Sequence, residues 1–280
     1  MRKASHYFMA ALTLLMLVNA GYKALAGHHK VSKSSQKTVS NAIQKAPNGS
    51  YTYYDKNGEK IIHFCNFDWH IRPSGSGSPG PNMWSSDNVW LDASGYLHIA
   101  LTKSNNTWYS SEIYTDKHLG FGAYQFMLYG AVDKLDKNVV FGIYPYPDDS
   151  KTQDGTNEID IEFSRWGNAA WPNLNYTVWP VSKNQKSQSR SVNFKLSSAL
   201  STHRFIWKPN GILFQSLDGL TNTTDNLLAN WLYAPSNPSA HVSQIPQTLH
   251  FNLWTVDGKA PSNGLPVEII FTDFTYIPSS

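Results

Sequence analysis

An all-β sandwich or barrel is the architecture that these 280 residues predict. Short runs of alternating apolar and polar residues follow one another along most of the chain. Turn signals such as Pro209-Asn210-Gly211, Asp218-Gly219 and Asp257-Gly258 separate them, and no apolar stripe of helical period lasts beyond about three turns. Taken in order, the predicted strands are IIHFCNF (61–67), YLHIALT (96–102), YQFMLYG (124–130), VVFGIY (139–144), NYTVWP (175–180), HRFIWK (203–208), ILFQSL (212–217), LHFNLW (249–254) and VEIIFTDFTYI (267–277). Each places alternate side chains on opposite faces, so one face of each run can meet a core. The segment TDNLLANWLY (224–233) is the best helix candidate. RPSGSGSPGPN (72–82) reads as a loop too small to separate domains.

With Trp 10, Tyr 15 and Phe 13, the chain can bury a large core, and sandwiches of this length are often single domains. A basic start (Arg2, Lys3), the apolar run FMAALTLLMLV (8–18) and Ala24-Leu25-Ala26 read as a secretory signal peptide over 1–26. The run is shorter than the ~20 residues that span a bilayer, so no membrane anchor is expected after cleavage. Residues 27–46 are polar and rich in Ser and Lys, as a linker is, which leaves 47–280 as the folded domain. A secreted or periplasmic location follows.

Without Arg2, Lys3 and Lys23 of the leader, the 23 basic residues fall to 20, against 20 acidic ones. Lys30, Lys33, Lys37 and Lys45 belong to the linker, so the domain itself carries 16 basic and 20 acidic residues, a net charge of −4. That balance argues against nucleic acid as a partner. Cys65 is the lone cysteine and can form no intramolecular disulfide. Asp148, Asp149 and Asp154 lack the spacing of a calcium loop. The sequence Gly27-His28-His29 is explained by a polar tail, so neither metal nor cofactor is expected. Four acceptor sequons begin at Asn48, Asn105, Asn175 and Asn222.

The chemistry concentrates in NEIDIEF (157–163). On a strand, Glu158, Asp160 and Glu162 share one face while Ile159, Ile161 and Phe163 fill the other. Like charges on one face repel, and no basic residue is interleaved before Arg165. A solvated edge strand is one reading of that pattern. A catalytic reading also fits: at ~3.3 Å per residue the two Glu Cα atoms lie ~13 Å apart, and leaning side chains bring their carboxylates to ~5–6 Å. This is close to the ~5–5.5 Å separation of acid and nucleophile in retaining glycosidases. Asp160 between them can hydrogen-bond one Glu, and its charge keeps one carboxyl of the three protonated. Trp166, Trp171, Trp179 and Trp254 lie in or beside nearby strands, where they either pack in the core or stack on sugar faces.

EIDIEF (158–163) resembles the uninterrupted E-x-D-x-E signature of family 16 glycoside hydrolases. The resemblance continues through SEIYTDKHLGFGAYQF (111–126), VVFGIYPYP (139–147), LNYTVWP (174–180), THRFIWKPNGILFQSLDG (202–219) and HFNLWTVDG (250–258). It implies a concanavalin A-like jelly roll of two antiparallel sheets with a cleft across one. It also implies an endo-acting, retaining hydrolase of a neutral β-linked polysaccharide, a β-1,3- or mixed β-1,3/1,4-glucan. Carried over, Glu158 becomes the nucleophile, Glu162 the acid and base, and Asp160 the residue that tunes Glu158. Glu112, Tyr144, Tyr146, Asn175, Asn252 and Trp254 fall at substrate-binding positions, although each could instead serve packing or backbone hydrogen bonding. Two positions depart from the lichenase pattern: Thr156 stands where a Trp is found, and Tyr114 where an Arg is found. A lectin of the same fold and a transglycosylase are the alternatives, and a monomer is expected.

Overall fold

The computed structural model describes residues 44–147 and 154–279. The leader, nearly all of the 27–46 segment, Asp148 and Asp149 lie outside the described residues. The chain opens with β1 (Tyr51–Tyr54), β2 (Lys60–Phe64), β3 (Phe67–Ile71), β4 (Gly75–Gly77), β5 (Asn82–Trp84) and β6 (Val89–Leu91). It continues with β7 (Leu97–Ser104), β8 (Thr107–Thr115), β9 (Gly122–Tyr129), β10 (Val139–Tyr146), β11 (Ile159–Ser164) and β12 (Leu174–Val178). The remaining strands are β13 (Gln188–Val192), β14 (Leu200–Lys208), β15 (Gly211–Asp218), β16 (Leu227–Tyr233), β17 (Thr248–Thr255) and β18 (Val267–Pro278).

These strands form a jelly-roll sandwich. The first sheet runs β1-β2-β3-β8-β17-β10-β11-β12-β13, with every neighbour antiparallel. The second runs β6-β7-β18-β9-β14-β15-β16, also antiparallel. Alternation explains how they meet. Ile159, Ile161 and Phe163 of β11 are fully buried, as are Phe141 and Ile143 of β10 and Phe251 and Leu253 of β17. Phe251 stacks on Phe271 with ring centroids 4.0 Å apart, tying the first sheet to the second, and meets Trp69 of β3 at 4.6 Å within the first. A buried polar chain adds a second tie. Tyr176 of β12 donates to Ser216 at 2.7 Å, and His203 contacts Ser216 and Ser201 at 2.8 and 2.9 Å. Burial pulls His203 down to about 3, so the ring stays neutral and costs no unpaired charge.

Two expectations are corrected. IIHFCNF is not one strand: Cys65 and Asn66 adopt left-handed φ values of 50° and 68° and turn the chain back, so β2 ends at Phe64 and β3 begins at Phe67. Two consecutive positive-φ residues suit a two-residue hairpin, which masks itself as continued alternation in the sequence. TDNLLANWLY is not helical: its residues 227–233 form β16, which pairs with β15 and points Ala229 and Trp231 inward. The strand ladder and the packing of Trp231 on Phe214, 5.5 Å between centroids, override its helical propensity.

Candidate active site

The outer face of the first sheet carries polar side chains in transverse lines. Register sets Glu112 opposite Asn252, Asn252 opposite Gly142, Gly142 opposite Glu162, Glu162 opposite Asn175 and Asn175 opposite Ser191. One such line therefore crosses β8, β17, β10, β11, β12 and β13. A parallel line holds His70, Tyr114, His250 and Tyr144, whose rings stack in succession at 5.6, 5.2 and 5.1 Å. Asp160, Thr177 and Ser189 occupy the corresponding positions on β11, β12 and β13.

The acid trio lies where these lines cross β11. Asp160 is 3 % exposed, shares a hydrogen bond with Glu158, and accepts a 2.8 Å hydrogen bond from Trp179 Nε1. Trp179 is thus a hydrogen-bond partner of the trio, a role its aromatic character did not announce. Arg165 does not neutralise the acids. It donates to the carbonyls of Ala169 and Trp171 and holds the loop that carries Trp171. Burial, then the charge of Asp160, pushes Glu158 well above the carboxylate range, and the same two causes raise Glu162. Burial lifts Asp160 to about 7 against the lowering effect of its hydrogen bonds from Glu158 and Trp179. Three carboxyls in one buried row cannot all ionise, so the site holds a proton near neutrality.

On one side of the trio an open trough of about 580 Å³ is lined by Trp166, Trp171, Asn175, Thr177, Ser189 and Ser191 among others, with no basic side chain in its wall among the described residues. Asn175 is engaged at both ends of its amide: it donates to Ser164 O at 3.0 Å and accepts from Ser191 at 2.6 Å. A glycan on this nitrogen would break the line beside Glu162. Trp254 flanks the trough, its ring 6.1 Å from that of Trp166.

On the other side the sequence-predicted residues converge on Glu112. Its Oε1 accepts from Tyr144 OH and from His250 Nδ1, both at 2.9 Å, and its Oε2 accepts from Arg72 at 2.6 Å. Burial raises the Glu112 carboxyl, but the hydrogen bonds and charges of His250 and Arg72 outweigh it and hold it below the ordinary range. Asn252 Nδ2 donates to Tyr144 OH at 3.0 Å. Tyr146 meets the same cluster edge-on through its ring, 5.9 Å from His250 and 6.2 Å from Tyr144, while its hydroxyl donates to Asp154 at 3.1 Å. Arg72 and His250 were not singled out from sequence. His250 has a signal, since it sits two residues before Asn252 and so shares its face; Arg72 opens a Gly- and Pro-rich loop and has none.

Between Asn252 and Glu162 the line has a gap. Gly142 offers no side chain there, and a Cβ on it would lie 2.6 Å from Asn252 Oδ1. That oxygen is buried and accepts no hydrogen bond among the described residues. Gly142 is thus what lets the Asn252 amide, which donates to Tyr144, lie over this strand. Gly142→Ala is therefore expected to displace the Asn252 amide and lower kcat/KM about 100-fold, with some loss of melting temperature as well. Steady-state kinetics beside a thermal melt checks this, and unaltered kinetics would mean that the Asn252 amide has no part in turnover.

A row of three buried carboxyls on the outer face of a jelly-roll sandwich, with a polar, aromatic trough on one side and a hydrogen-bonded polar cluster on the other, is the constellation of a glycoside hydrolase. Residues 80–269 match the Glycosyl hydrolases family 16, and the chain belongs to that family. No curated protein sequence matches it. Among solved structures, it resembles a Bacillus licheniformis β-glucanase at 20 % identity, covering 86 % of this chain and 100 % of that one, with a TM-score of 0.51. A Bacteroides ovatus family 16 enzyme of a mixed-linkage glucan locus, in complex with its product, matches at 14 % identity over 77 % and 98 % of the two chains, with a TM-score of 0.58. A Mycobacterium tuberculosis protein described as an immunostimulatory antigen and pseudo β-1,3-glucanase matches at 18 % identity over 76 % and 91 %, with a TM-score of 0.56. At these identities the likeness concerns the fold.

Proposed function

We propose that the protein is a secreted, endo-acting, retaining hydrolase of a neutral β-linked polysaccharide, with β-1,3- or mixed β-1,3/1,4-glucan as the substrate class. The observation that carries this reading is the position of the trio midway along a polar line that continues over several strands on both sides. A chain laid along it is gripped on both sides of the cleaved bond, which is what internal cleavage requires. Among the described residues the trough wall has no basic side chain, which suits an uncharged sugar.

In the first step, Glu158 carboxylate forms a bond to the anomeric carbon as the glycosidic C–O bond breaks, and Glu162 gives its proton to the departing oxygen. In the second, Glu162 takes a proton from water, the water oxygen attacks the anomeric carbon, and Glu158 is released. Asp160, held by Trp179, keeps Glu158 oriented and shares its proton.

Release of new reducing ends from a panel of soluble β-glucans, with an early drop in viscosity, tests the reading. Followed by anomeric proton signals, the earliest products are expected to be β-anomers. First appearance of the α-anomer would replace double displacement by direct attack of water. A lectin reading has one support, the description of a similar Mycobacterium tuberculosis structure as a pseudo β-1,3-glucanase; binding across the panel with no bond cleaved would favour it. Longer products in place of shorter ones would mark transfer to a sugar acceptor.

A further inference from the structure

The polar line does not stop at Glu112. Arg72 follows β3, and its backbone N–H donates to Glu112 O at 3.0 Å, which sets it opposite Glu112 on the same face. Arg72 is thus the first member of a line that continues through Glu112, Asn252 and Gly142 to Glu162. Four strand spacings of ~4.8 Å place its backbone ~19 Å from that of Glu162.

Glu112 and Arg72 differ in what they have left to offer a sugar. The Glu112 side chain is 9 % exposed, and its two oxygens accept from three protein donors, Tyr144, His250 and Arg72. His250 is itself held at its other nitrogen, 2.9 Å from Thr248 Oγ1. The Arg72 side chain is 27 % exposed, and among the described residues its hydrogen bond goes to Glu112 alone. A guanidinium carries five N–H groups in a fixed plane, so most of them remain for a ligand. The plane is fixed on a second side. The guanidinium carbon lies 3.9 Å from the ring centroid of Trp84, a buried indole that donates to Gly77 O at 3.1 Å. Gly77 makes room for it: a Cβ there would lie 2.6 Å from an Arg72 terminal nitrogen.

We propose that Arg72, rather than Glu112, is the sugar-contacting residue at the outer end of this arm of the cleft. Glu112, His250 and Trp84 are positioning residues that hold its guanidinium for the hydroxyl oxygens of a neutral pyranose. The carboxylate 2.6 Å away balances the charge of the guanidinium, so the site calls for hydroxyls and not for an anionic substituent. Tyr114 stands where the lichenase pattern has an Arg, and its ring is committed to the stack between His70 and His250. The cation comes instead from a different strand. The proposal rests on the hydrolase reading given above. Its consequence is a dependence on chain length, because only an oligosaccharide that fills the whole arm reaches Arg72.

The test is kcat/KM on a ladder of oligosaccharides, from trisaccharide to octasaccharide, of the β-glucan that the wild-type protein cleaves. Arg72→Ala is expected to match the wild type on the shortest cleaved member and to fall about 10- to 30-fold on the longest, mainly through KM. Arg72→Lys, which keeps the charge and loses the fork, should recover only a small part. Glu112→Gln should show the same length dependence, since it loosens the guanidinium. Equal loss at every length in both Arg72 variants would mean a structural ion pair, and no loss on the longest substrate would mean no sugar contact. Either result overturns the assignment of Arg72 while leaving the hydrolase reading intact. A wild-type protein that cleaves no member of any ladder would remove the hydrolase reading, and this inference with it.

Discussion

Glu158→Gln is expected to lower kcat by ~10³-fold or more while the protein keeps its fold. The fold is spared because β11 is anchored through Ile159, Ile161 and Phe163, all fully buried on the opposite face. Turnover is lost because an amide cannot form the glycosyl-enzyme bond. Glu162→Gln should be as damaging on a polysaccharide, yet the two variants can be told apart. An aryl glycoside whose leaving group departs without a proton needs no acid in the first step. On such a substrate Glu162→Gln should still release the aryl group, and Glu158→Gln should not. Rates for both variants on both substrates, with circular dichroism to monitor the fold, make the check. Polysaccharide turnover by Glu158→Gln near the wild-type level would remove the nucleophile assignment.

Period-two patterning made this strand legible from the residues alone. Three acids alternating with Ile159, Ile161 and Phe163 state both which face is buried and which carries the chemistry, and the structure buries the apolar set completely. The same logic made β10, β17 and β18 readable. It failed where alternation and topology part company. The run 61–67 alternates straight through a reversal, because Cys65 and Asn66 turn the chain in two residues without breaking the pattern. In β16, Leu228 and Leu232 stay exposed, at 38 % and 66 %, and the spread of apolar residues onto both faces imitates a helix. Lateral position is the information a single strand cannot hold. Asn252 and Gly142 become neighbours of Glu162 only through antiparallel register between segments far apart in sequence. Arg72 meets Glu112 across 40 positions for the same reason. The family resemblance placed Glu112 and Asn252 at the cleft because it carries register implicitly; Arg72 lies in none of the segments that carry the resemblance.

Asp160→Asn should make the protein more stable at neutral pH and its catalysis more acid-tolerant. Burial raises Asp160 from 3.8 to about 7 in the folded protein. For an acid whose folded value is raised, the folded state binds the proton more tightly than the unfolded chain does. Stability is then greatest below the unfolded value and is lost as pH climbs through the folded one. At neutral pH the cost of that mismatch is on the order of 2 to 4 kcal/mol, the lower figure allowing for a proton shared with Glu158. Asn has nearly the same shape, keeps an oxygen for Trp179 Nε1 and carries no charge, so it removes the cost. A gain of about 5 to 10 °C in melting temperature is expected at pH 7, shrinking to nothing at about pH 4 and below, where Asp160 is protonated in both states. The same charge raises Glu158 and Glu162, so removing it lets both ionise more readily and moves the two limbs of the pH–rate profile to lower pH. Activity should fall less than in Glu158→Gln, because Asp160 forms no bond to the sugar. Thermal melts from pH 3 to 8 beside a pH–rate profile decide the matter. A melting temperature that drops at pH 7 would mean that the carboxylate is worth more to the fold as a hydrogen-bond partner of Trp179 and Glu158 than its burial costs, and a profile that stays in place would mean that Asp160 does not set the proton affinity of the two glutamates.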